Sequence, residues 1–217
     1  MRILSGSSIN NISEIEFENI IEGYESLIID MGTGEGDFVY KNAKLNPNNM
    51  YIGIDTSADS MKEFSLKSAK KPEKGGLKNV MYVIGNACDL PDILTCKADK
   101  IFINLPWGSL RDGIIKGEQN FLSNIRKISK ENATLEIRVS YCDQYEKQEI
   151  DTRQLPELTL AYFNDVLKDI YKSFDIHMKQ ISVINNEDLK RLDTKWAKKL
   201  GFGKQREAYC LTCKITK

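Results

Sequence analysis

Short apolar runs alternate along the chain with longer segments in which apolar residues recur every three or four positions. The runs are typical of buried strands, and the wider spacing is typical of amphipathic helices. Strands are therefore predicted at residues 26–30, 51–55, 80–84, 100–104, 134–140, 176–184 and 207–215. Helices are predicted at residues 14–21, 35–44, 59–70, 108–116, 118–127 and 158–174. This alternation predicts an α/β fold with a seven-stranded, mostly parallel sheet and an antiparallel last strand.

The pattern predicts a single domain over residues 1–217, with three additions to the sheet. Residues 1–25 are interpreted as a short N-terminal extension containing a small hairpin at Ser5-Gly6-Ser7-Ser8. Residues 141–157 are polar and irregular, and residues 185–200 have helical spacing. Both follow strands and are predicted to be insertions that recognise the substrate, because binding residues often lie on connections held by a rigid scaffold.

A glycine-rich turn follows the first predicted core strand, in the order Asp30-Met31-Gly32-Thr33-Gly34-Glu35-Gly36. Glycines allow positive φ angles and a close approach of the backbone to a ligand. The next strand ends at Asp55, where a carboxylate can accept hydrogen bonds from a ribose diol. The G-x-G-x-G spacing resembles motif I of the class I S-adenosylmethionine (SAM) methyltransferases, which have a Rossmann-like sheet. A turn in another kind of α/β protein is the alternative interpretation.

Two further strand ends are predicted to reach the same edge of the sheet, where α/β folds bind their ligands. After the third core strand, Asn86, Cys88 or Asp89 could contact the adenine of a cofactor. After the fourth, the segment 104–109 contains Trp107, at the position where this fold places its substrate. A tryptophan there could form a flat wall for a base, although a core or lid aromatic is the commoner role.

The charged residues balance, with 31 basic and 31 acidic side chains, so net charge alone does not favour a nucleic-acid partner. Their distribution does, because residues 67–78 and 190–206 are both strongly basic. We expect both runs to flank the ligand edge; solvated loops are the alternative. Trp196 lies inside the second run, where charge on both sides disfavours a core position. Enzymes that act on nucleobases hold the extruded base between aromatic faces, so Trp107 and Trp196 are candidates for that role.

Five scattered cysteines, an odd number, indicate reduced thiols rather than a disulfide framework. Cys210 and Cys213 form a C-x-x-C, but on a strand they point to opposite faces, so no metal site is predicted. No apolar run approaches the roughly 20 residues that span a bilayer, and the N-terminus lacks the apolar core of a signal peptide. We expect a cytoplasmic monomer without a membrane partner.

Five segments together resemble the 16S rRNA (adenine(1408)-N1)-methyltransferases, the aminoglycoside-resistance enzymes of the NpmA/KamB kind. They occur in family order over nearly the whole chain, at residues 29–36, 51–55, 70–80, 106–110 and 196–204. The resemblance implies SAM-dependent methylation of adenine N1 in the 16S rRNA of the assembled 30S subunit, conferring aminoglycoside resistance. It also implies that no metal is needed.

The same resemblance implies roles for individual residues. SAM would be bound by Asp30, Gly32, Thr33, Gly34, Asp55, Ala87, Cys88, Asn104, Leu105 and Ser109. The target adenine would lie between Trp107 and Trp196. Contacts to the rRNA backbone would come from Lys67, Lys70, Lys71, Lys74, Arg153, Lys199, Lys204 and Arg206. Glu146 would support the flipped nucleotide.

The chain departs from the family pattern at two places. The family has an acid where this chain has Cys88, so Asp89 or the backbone would hold the cofactor adenine here. The family has an apolar pair where this chain has Asn104-Leu105. Asn104-Leu105-Pro106-Trp107 also resembles the N-P-P-Y-type motif, whose Asn accepts a hydrogen bond from an exocyclic amine. A SAM-dependent N6-adenine or small-molecule methyltransferase is therefore the main alternative, and a non-catalytic SAM- or RNA-binding module is a third.

Overall fold

The computed structural model describes residues 1–216. The strands are β1 (Arg2–Ser5), β2 (Ser8–Asn11), β3 (Ser26–Met31), β4 (Asn49–Asp55), β5 (Val80–Ile84), β6 (Ala98–Asn104), β7 (Ser129–Val139), β8 (Ile176–Ile184) and β9 (Ala208–Ile215). The α-helices are α1 (Glu14–Ile21), α2 (Asp37–Leu45), α3 (Ala58–Ser68), α4 (Gly108–Lys116), α5 (Gln119–Ile128), α6 (Asp143–Arg153), α7 (Leu160–Tyr162), α8 (Lys168–Lys172), α9 (Asn186–Arg191) and α10 (Lys195–Gly201). A π-helical segment, Phe163–Leu167, joins α7 to α8, and 3-10 turns cover Pro72–Lys74 and Asp92–Leu94.

The strands form one sheet in the order β2-β1-β5-β4-β3-β6-β7-β9-β8. The five strands from β5 to β7 are parallel, and β9 runs antiparallel to both of its neighbours. The predicted fold class and the antiparallel last strand are therefore confirmed. The predicted number of seven strands is too low, because the N-terminal hairpin pairs with β5 instead of standing apart from the sheet.

Helices cover both faces of the sheet, and β3 shows why its sequence is apolar without alternation. Ile29 packs into a large cluster together with Ile114 of α4 and Phe121 of α5. Its neighbour Ile28 points to the other face and packs with Phe38 of α2. A parallel strand that is buried on both faces is apolar at successive positions. The carboxyl ends of these strands form the edge that carries the site.

The two insertions are both helical, which corrects the prediction that the first is irregular. Its helix α6 is kinked at Glu146, whose φ and ψ of −127° and 17° are not helical. The second insertion forms α9 and α10, and a small cluster of Leu105, Leu189 and Ala197 packs it against the end of β6. This cluster places α10 beside the segment that follows β6.

The two cysteines of the C-x-x-C lie on opposite faces of β9, as predicted. Cys213 is buried on β9 whereas Cys210 is only partly covered, as expected for strand positions on opposite faces. Burial raises the pKa of the Cys213 thiol to about 12.

Within residues 1–216, no helix combines the length and the apolar character that crossing a bilayer requires.

Candidate cofactor and base-binding site

A cavity of about 680 Å³ opens at the carboxyl ends of β3, β4, β5 and β6. Its walls come from the segments that follow these strands and from the start of α10. This volume is in the range of pockets that bind small-molecule ligands. All but one of the predicted cofactor-binding residues line the cavity, namely Asp30, Gly32, Thr33, Gly34, Asp55, Ala87, Asn104, Leu105 and Ser109.

The glycine turn is fixed to β4 by its backbone. The N–H groups of Gly32 and Thr33 both donate to the carbonyl of Ile54, at 2.8 and 3.0 Å. Gly34 has a φ of +57°, and a Cβ built there would meet no atom of residues 1–216 within 4 Å. The turn therefore presents a rigid, open backbone surface to the cavity, as a cofactor cradle requires.

The carboxylate of Asp55 is oriented by two backbone N–H groups. Gly34 donates to Oδ2 at 2.9 Å, and Ser57 donates to Oδ1 at 3.0 Å. A carboxylate oxygen has capacity for a second hydrogen bond, so both oxygens can still accept one from a ligand. This geometry fits the expected contact with a ribose diol.

Asp30 is buried at the end of β3 and is held by a chain of polar side chains. Asn104 Nδ2 donates to Asp30 Oδ1 at 3.0 Å, and Asn104 Oδ1 accepts from Arg138 Nη1 at 2.7 Å. Arg138 is paired in turn with Glu136. Burial raises the pKa of Asp30 to about 7, against the opposing effect of the hydrogen bond from the Asn104 side chain. A cationic ligand group would favour the ionised carboxylate.

The backbone leaves β6 through a strained residue, Leu105. Its φ is +52°, although the residue before a proline normally adopts an extended conformation. The Leu105 N–H donates to the carbonyl of Arg138 at 2.8 Å. Its side chain enters the small cluster below α10, and Pro106 and Trp107 then line the cavity. Strain of this kind is often kept at ligand-binding positions.

Trp107 and Trp196 meet at the cavity, as the sequence predicted for a base-binding pair. Trp107 precedes α4 and is 44% exposed, and Trp196 lies in the first turn of α10. Their ring centroids are 5.8 Å apart, with an angle of 68° between the planes. This is an edge-to-face contact between the two rings. A base stacked on both rings needs more separation, so the pair must open to admit one.

The first basic run begins at the last turn of α3. Its lysines do not line the cavity, but Lys67 lies close to the second run, because it contacts the same Phe64 ring as Lys195, which does line the cavity. That both runs flank the ligand edge stays a prediction. Lys67 Nζ lies 4.8 Å from the ring centroid of Phe64, and Tyr40 anchors the following loop by donating to the Gly75 carbonyl at 2.6 Å. The predicted RNA-binding residues Lys70, Lys71 and Lys74 are exposed there.

The second basic run lies beside the cavity. Lys195 lines it and forms ion pairs with Glu35 and Glu63 at 2.6 and 3.0 Å. Lys199 Nζ is 5.4 Å from the Trp196 ring, and Lys204 Nζ is 4.4 Å from that of Tyr145.

Helix α2 connects the second basic run to the first. Asp37 accepts from the Lys195 N–H at 2.8 Å, and Lys41 donates to the Asp193 carbonyl at 2.9 Å. Tyr40 of the same helix donates to the Gly75 carbonyl of the first run, so both basic runs are attached to one element.

A family model for the 16S rRNA (adenine(1408)-N(1))-methyltransferases matches residues 2–215 of this chain. The chain belongs to this family. A methyltransferase of that name from Escherichia coli is 37% identical over the full length of both chains. A mutant of the corresponding enzyme from Catenulisporales acidiphilia, whose crystal structure contains the cosubstrate SAM, superposes with a TM-score of 0.92 at 27% identity, covering 100% of this chain and 97% of that one. The aminoglycoside resistance methyltransferase NpmB1 has a TM-score of 0.85 at 31% identity, covering 99% of each chain.

Cys88 is the predicted cofactor residue of this methyltransferase that does not line the cavity. Its N–H donates to Asn86 Oδ1 at 2.9 Å, and its carbonyl accepts from Asn124 at 2.9 Å. These bonds turn the Cys88 side chain away and leave Asn86 and Ala87 at the wall. Asp89 does not line the cavity either, so Asn86 is the remaining polar candidate for contact with an adenine.

Both predicted RNA-binding arginines are engaged within the methyltransferase. The Arg206 side chain is 9% exposed and lies 3.8 Å from Glu146, which also accepts from the Cys142 N–H at 2.9 Å. Arg153 pairs with Asp112 at 2.8 Å. Contact of either arginine with a phosphate therefore requires these pairs to rearrange, whereas the exposed lysines are available directly.

Arg111 of α4 is a site residue that the sequence analysis missed. Its side chain is fully buried, and Cζ lies 5.1 Å from the ring centroid of Trp107 and 5.5 Å from that of Tyr141. An arginine on an amphipathic helix is normally solvated. Arg111 lies four residues after Trp107, so the two side chains share one side of the start of α4. This spacing is the sequence signal that could have identified Arg111.

Proposed function

We propose that this chain transfers the methyl group of SAM to N1 of adenine 1408 in the 16S rRNA of the assembled 30S subunit. The observation that carries the proposal is the cavity with a SAM-type glycine turn on one side and two tryptophans on the other. Because proteins read structured RNA mainly by shape and backbone, the assembled subunit is a better substrate than naked rRNA. The protein would then act as a monomer in the cytoplasm, where ribosomes are.

The cavity wall fits SAM at each part of the cofactor. The open backbone at Gly34 would leave room beside the methionine portion, and Asp55 has free acceptor capacity for the ribose hydroxyls. Asn86 and Ala87 line the cavity and would border the adenine. Asp30 would supply the negative charge that a cationic cofactor favours. When bound, SAM supplies a methyl group on a positively charged sulfur.

The methyltransferase needs no general base for this reaction, because neutral adenine N1 already carries an exposed lone pair. Its task is to hold N1 in line with the methyl group, and such positioning can supply much of a rate enhancement. Trp107 and Trp196 would hold the flipped base once their rings separate. Their faces would also favour the positive charge that the adenine acquires.

The arrangement around Asn104 favours N1 over the exocyclic N6 as the target. In the N-P-P-Y-type motif, the oxygen of the Asn accepts from the amine that is methylated. Here that oxygen accepts from Arg138 at 2.7 Å, and the amide nitrogen donates to Asp30. The Asn104 amide is therefore oriented by Arg138 at its oxygen and by Asp30 at its nitrogen. Its oxygen has one lone pair left, so the arrangement favours a role in holding Asp30 over one in receiving an amine.

Primer extension on 30S subunits treated with the protein and tritiated SAM tests this function. Methylation at N1 blocks Watson–Crick pairing, so we expect tritium in 16S rRNA and a stop of reverse transcriptase at adenine 1408. Tritium transfer without a stop would indicate N6, and tight SAM binding without transfer would indicate a non-catalytic module. Bacteria that express the active protein should grow on aminoglycosides, and those expressing a Trp196→Ala variant at the same level should not.

SAM affinity should increase as the pH rises through about 7. Asp30 holds its proton up to that pH in the free protein, whereas a cationic cofactor favours the ionised form. One linked proton changes the dissociation constant roughly tenfold for each pH unit below the pKa. Calorimetry between pH 6 and pH 8 measures this slope. In Asp30→Asn, binding should be weaker and the slope should be lost; an unchanged slope in this variant would assign the titration to another group.

The exposed lysines of the first basic run should make 30S binding sensitive to salt. Replacing Lys70, Lys71 and Lys74 by Ala should reduce the slope of log affinity against log salt by roughly one unit for each phosphate that is no longer neutralised. SAM affinity should not change. A matched triple variant of exposed lysines elsewhere, at Lys168, Lys172 and Lys179, is the control. Equal slopes for the two triple variants would contradict a role of this run in RNA binding.

A further inference from the structure

We propose that Arg111 is a positioning residue that fixes Trp107 for the target base, and that Glu149 and Arg153 couple it to helix α6. The inference rests on the proposed function, because it assigns Trp107 to base binding. Arg111 itself touches neither the cavity nor, on this proposal, the reacting atoms.

Aromatic contacts hold the Arg111 guanidinium in place. It is fully buried, with Cζ 5.1 Å from the Trp107 ring centroid and 5.5 Å from that of Tyr141. At these distances both rings attract the cation. The contact joins the first turn of α4 to Tyr141, which lies in the short connection between β7 and α6.

The hydrogen bonding of Arg111 is incomplete for a buried cation. Nη2 donates to Glu149 Oε1 at 2.9 Å, but Nε and Nη1 find no hydrogen-bond partner in the described part of the chain. Burial of an incompletely satisfied charge costs stability. The neighbouring buried positions of α4, Ile114 and Ile115, show that an apolar residue would suit its core-facing side. A residue that lowers the folding stability at such a position is typical of a functional site.

The position of Arg111 determines which face of Trp107 is available. A fully buried guanidinium covers the inner face, and the ring remains 44% exposed on its other side. Only that outer face is open to a base. When Trp196 separates from Trp107 to admit the adenine, Arg111 and Tyr141 would keep the Trp107 ring in its plane.

A chain of side chains of alternating charge connects Arg111 and Trp107 to α6. Glu149 Oε1 accepts from Arg111 Nη2 at 2.9 Å and from Arg153 Nε at 3.1 Å. Arg153 also donates to Asp112 of α4 at 2.8 Å, and its side chain is 36% exposed at the outer end of the chain. A phosphate that draws Arg153 outward would break its hydrogen bond to Glu149, and Arg111 would then be the remaining partner of Glu149 Oε1. Docking of rRNA on α6 would thereby tighten the support of Trp107.

Single-turnover methylation of saturating 30S subunits tests the positioning role. We expect Arg111→Met to lower the rate roughly thirtyfold, the size of one desolvated cation–π contact, with the SAM dissociation constant unchanged. Arg111→Lys keeps the charge and should recover part of the rate. The matched control is Arg126→Met on α5, which removes a peripheral ion pair with Asp175 and should leave the rate unchanged. Equal rates for Arg111→Met and the wild type would overturn the proposal.

A purely structural role would look different in the same variants. It would lower the melting temperature and the SAM affinity in parallel with the rate, and Arg111→Lys would then rescue none of them. For the coupling to α6, we expect Glu149→Gln to lower the rate as well, and the double variant to be no slower than Arg111→Met. Additive losses would overturn the coupling.

Fluorescence separates this proposal from the function on which it rests. A Trp196→Phe background leaves Trp107 as the only tryptophan, and no rRNA is needed for the measurement. In that background Arg111→Met should shift the Trp107 emission and increase its quenching by acrylamide. If this change occurs but the wild type does not methylate 30S subunits, the proposed function fails and the positioning of Trp107 stands. An unchanged emission would overturn the positioning.

Discussion

Trp107→Ala and Trp196→Ala should each lower the rate of 30S methylation by roughly ten- to a hundredfold, since one base–aromatic stack contributes about 1–3 kcal/mol. The SAM dissociation constant should change little in Trp107→Ala, because the cofactor contacts at Asp55 and the glycine turn remain. Rapid-quench assays with tritiated SAM and saturating 30S subunits measure the rate of the chemical step.

The matched controls are Trp107→Phe and Trp196→Phe, which keep an aromatic face of smaller area. We expect them to retain most of the rate, whereas a loss equal to that of the Ala variants would indicate that the indole itself is needed. Full activity of either Ala variant would contradict the base-holding role.

The edge-to-face contact of the two tryptophans implies that one of them moves. Trp107 is attached to α4 and is covered on its inner face by Arg111. Trp196 belongs to the α9–α10 insertion, which a small cluster around Leu105, Leu189 and Ala197 holds against the sheet. The indole Nε1 of Trp196 also finds no hydrogen-bond partner among residues 1–216. The insertion is therefore the element expected to shift when the base enters.

The cofactor half of the site could be predicted from sequence because its determinants are local. The glycine turn and Asp55 follow directly from two apolar runs, and parallel strands bring their carboxyl ends together by topology alone. The same rule placed Asn104 and Trp107 at this edge correctly. Family membership followed from motifs that are themselves continuous in sequence, and the comparisons confirmed it.

The parts that sequence did not predict depend on tertiary contacts. Strand β2 is exposed throughout and has no apolar alternation that would indicate pairing in the sheet. Helix α6 gives no amphipathic signal, because it is mostly polar and only Ile150 is buried. Arg111 resembles a solvated helix residue, and only the tertiary structure brings its guanidinium into contact with Trp107 and Tyr141. The position of Cys88 depends on hydrogen bonds to Asn86 and Asn124, which lie in different segments.

Gly36→Ala should unfold the protein far more readily than Gly34→Ala, although both glycines have positive φ. A Cβ at Gly36 would lie 2.4 Å from the buried Tyr82 ring, whereas one at Gly34 would meet nothing within 4 Å in residues 1–216. Left-handed backbone costs a non-glycine residue about 1–2 kcal/mol, and overpacking adds about 1–3 kcal/mol. We therefore expect a loss of roughly 2–5 kcal/mol for Gly36→Ala and about 1–2 kcal/mol for Gly34→Ala, measured by urea unfolding.

SAM binding should show the opposite order in these two variants, measured at a temperature where both remain folded. The Gly34 methyl group would project into the open space beside Asp55, so the SAM affinity of Gly34→Ala should fall at least about tenfold, the loss expected when a close backbone approach is blocked. Gly36 caps α2 on the side of Tyr82, away from that space. Folded Gly36→Ala should therefore keep more of its SAM affinity than Gly34→Ala. Normal SAM binding by Gly34→Ala would show that the cofactor does not pass over this turn.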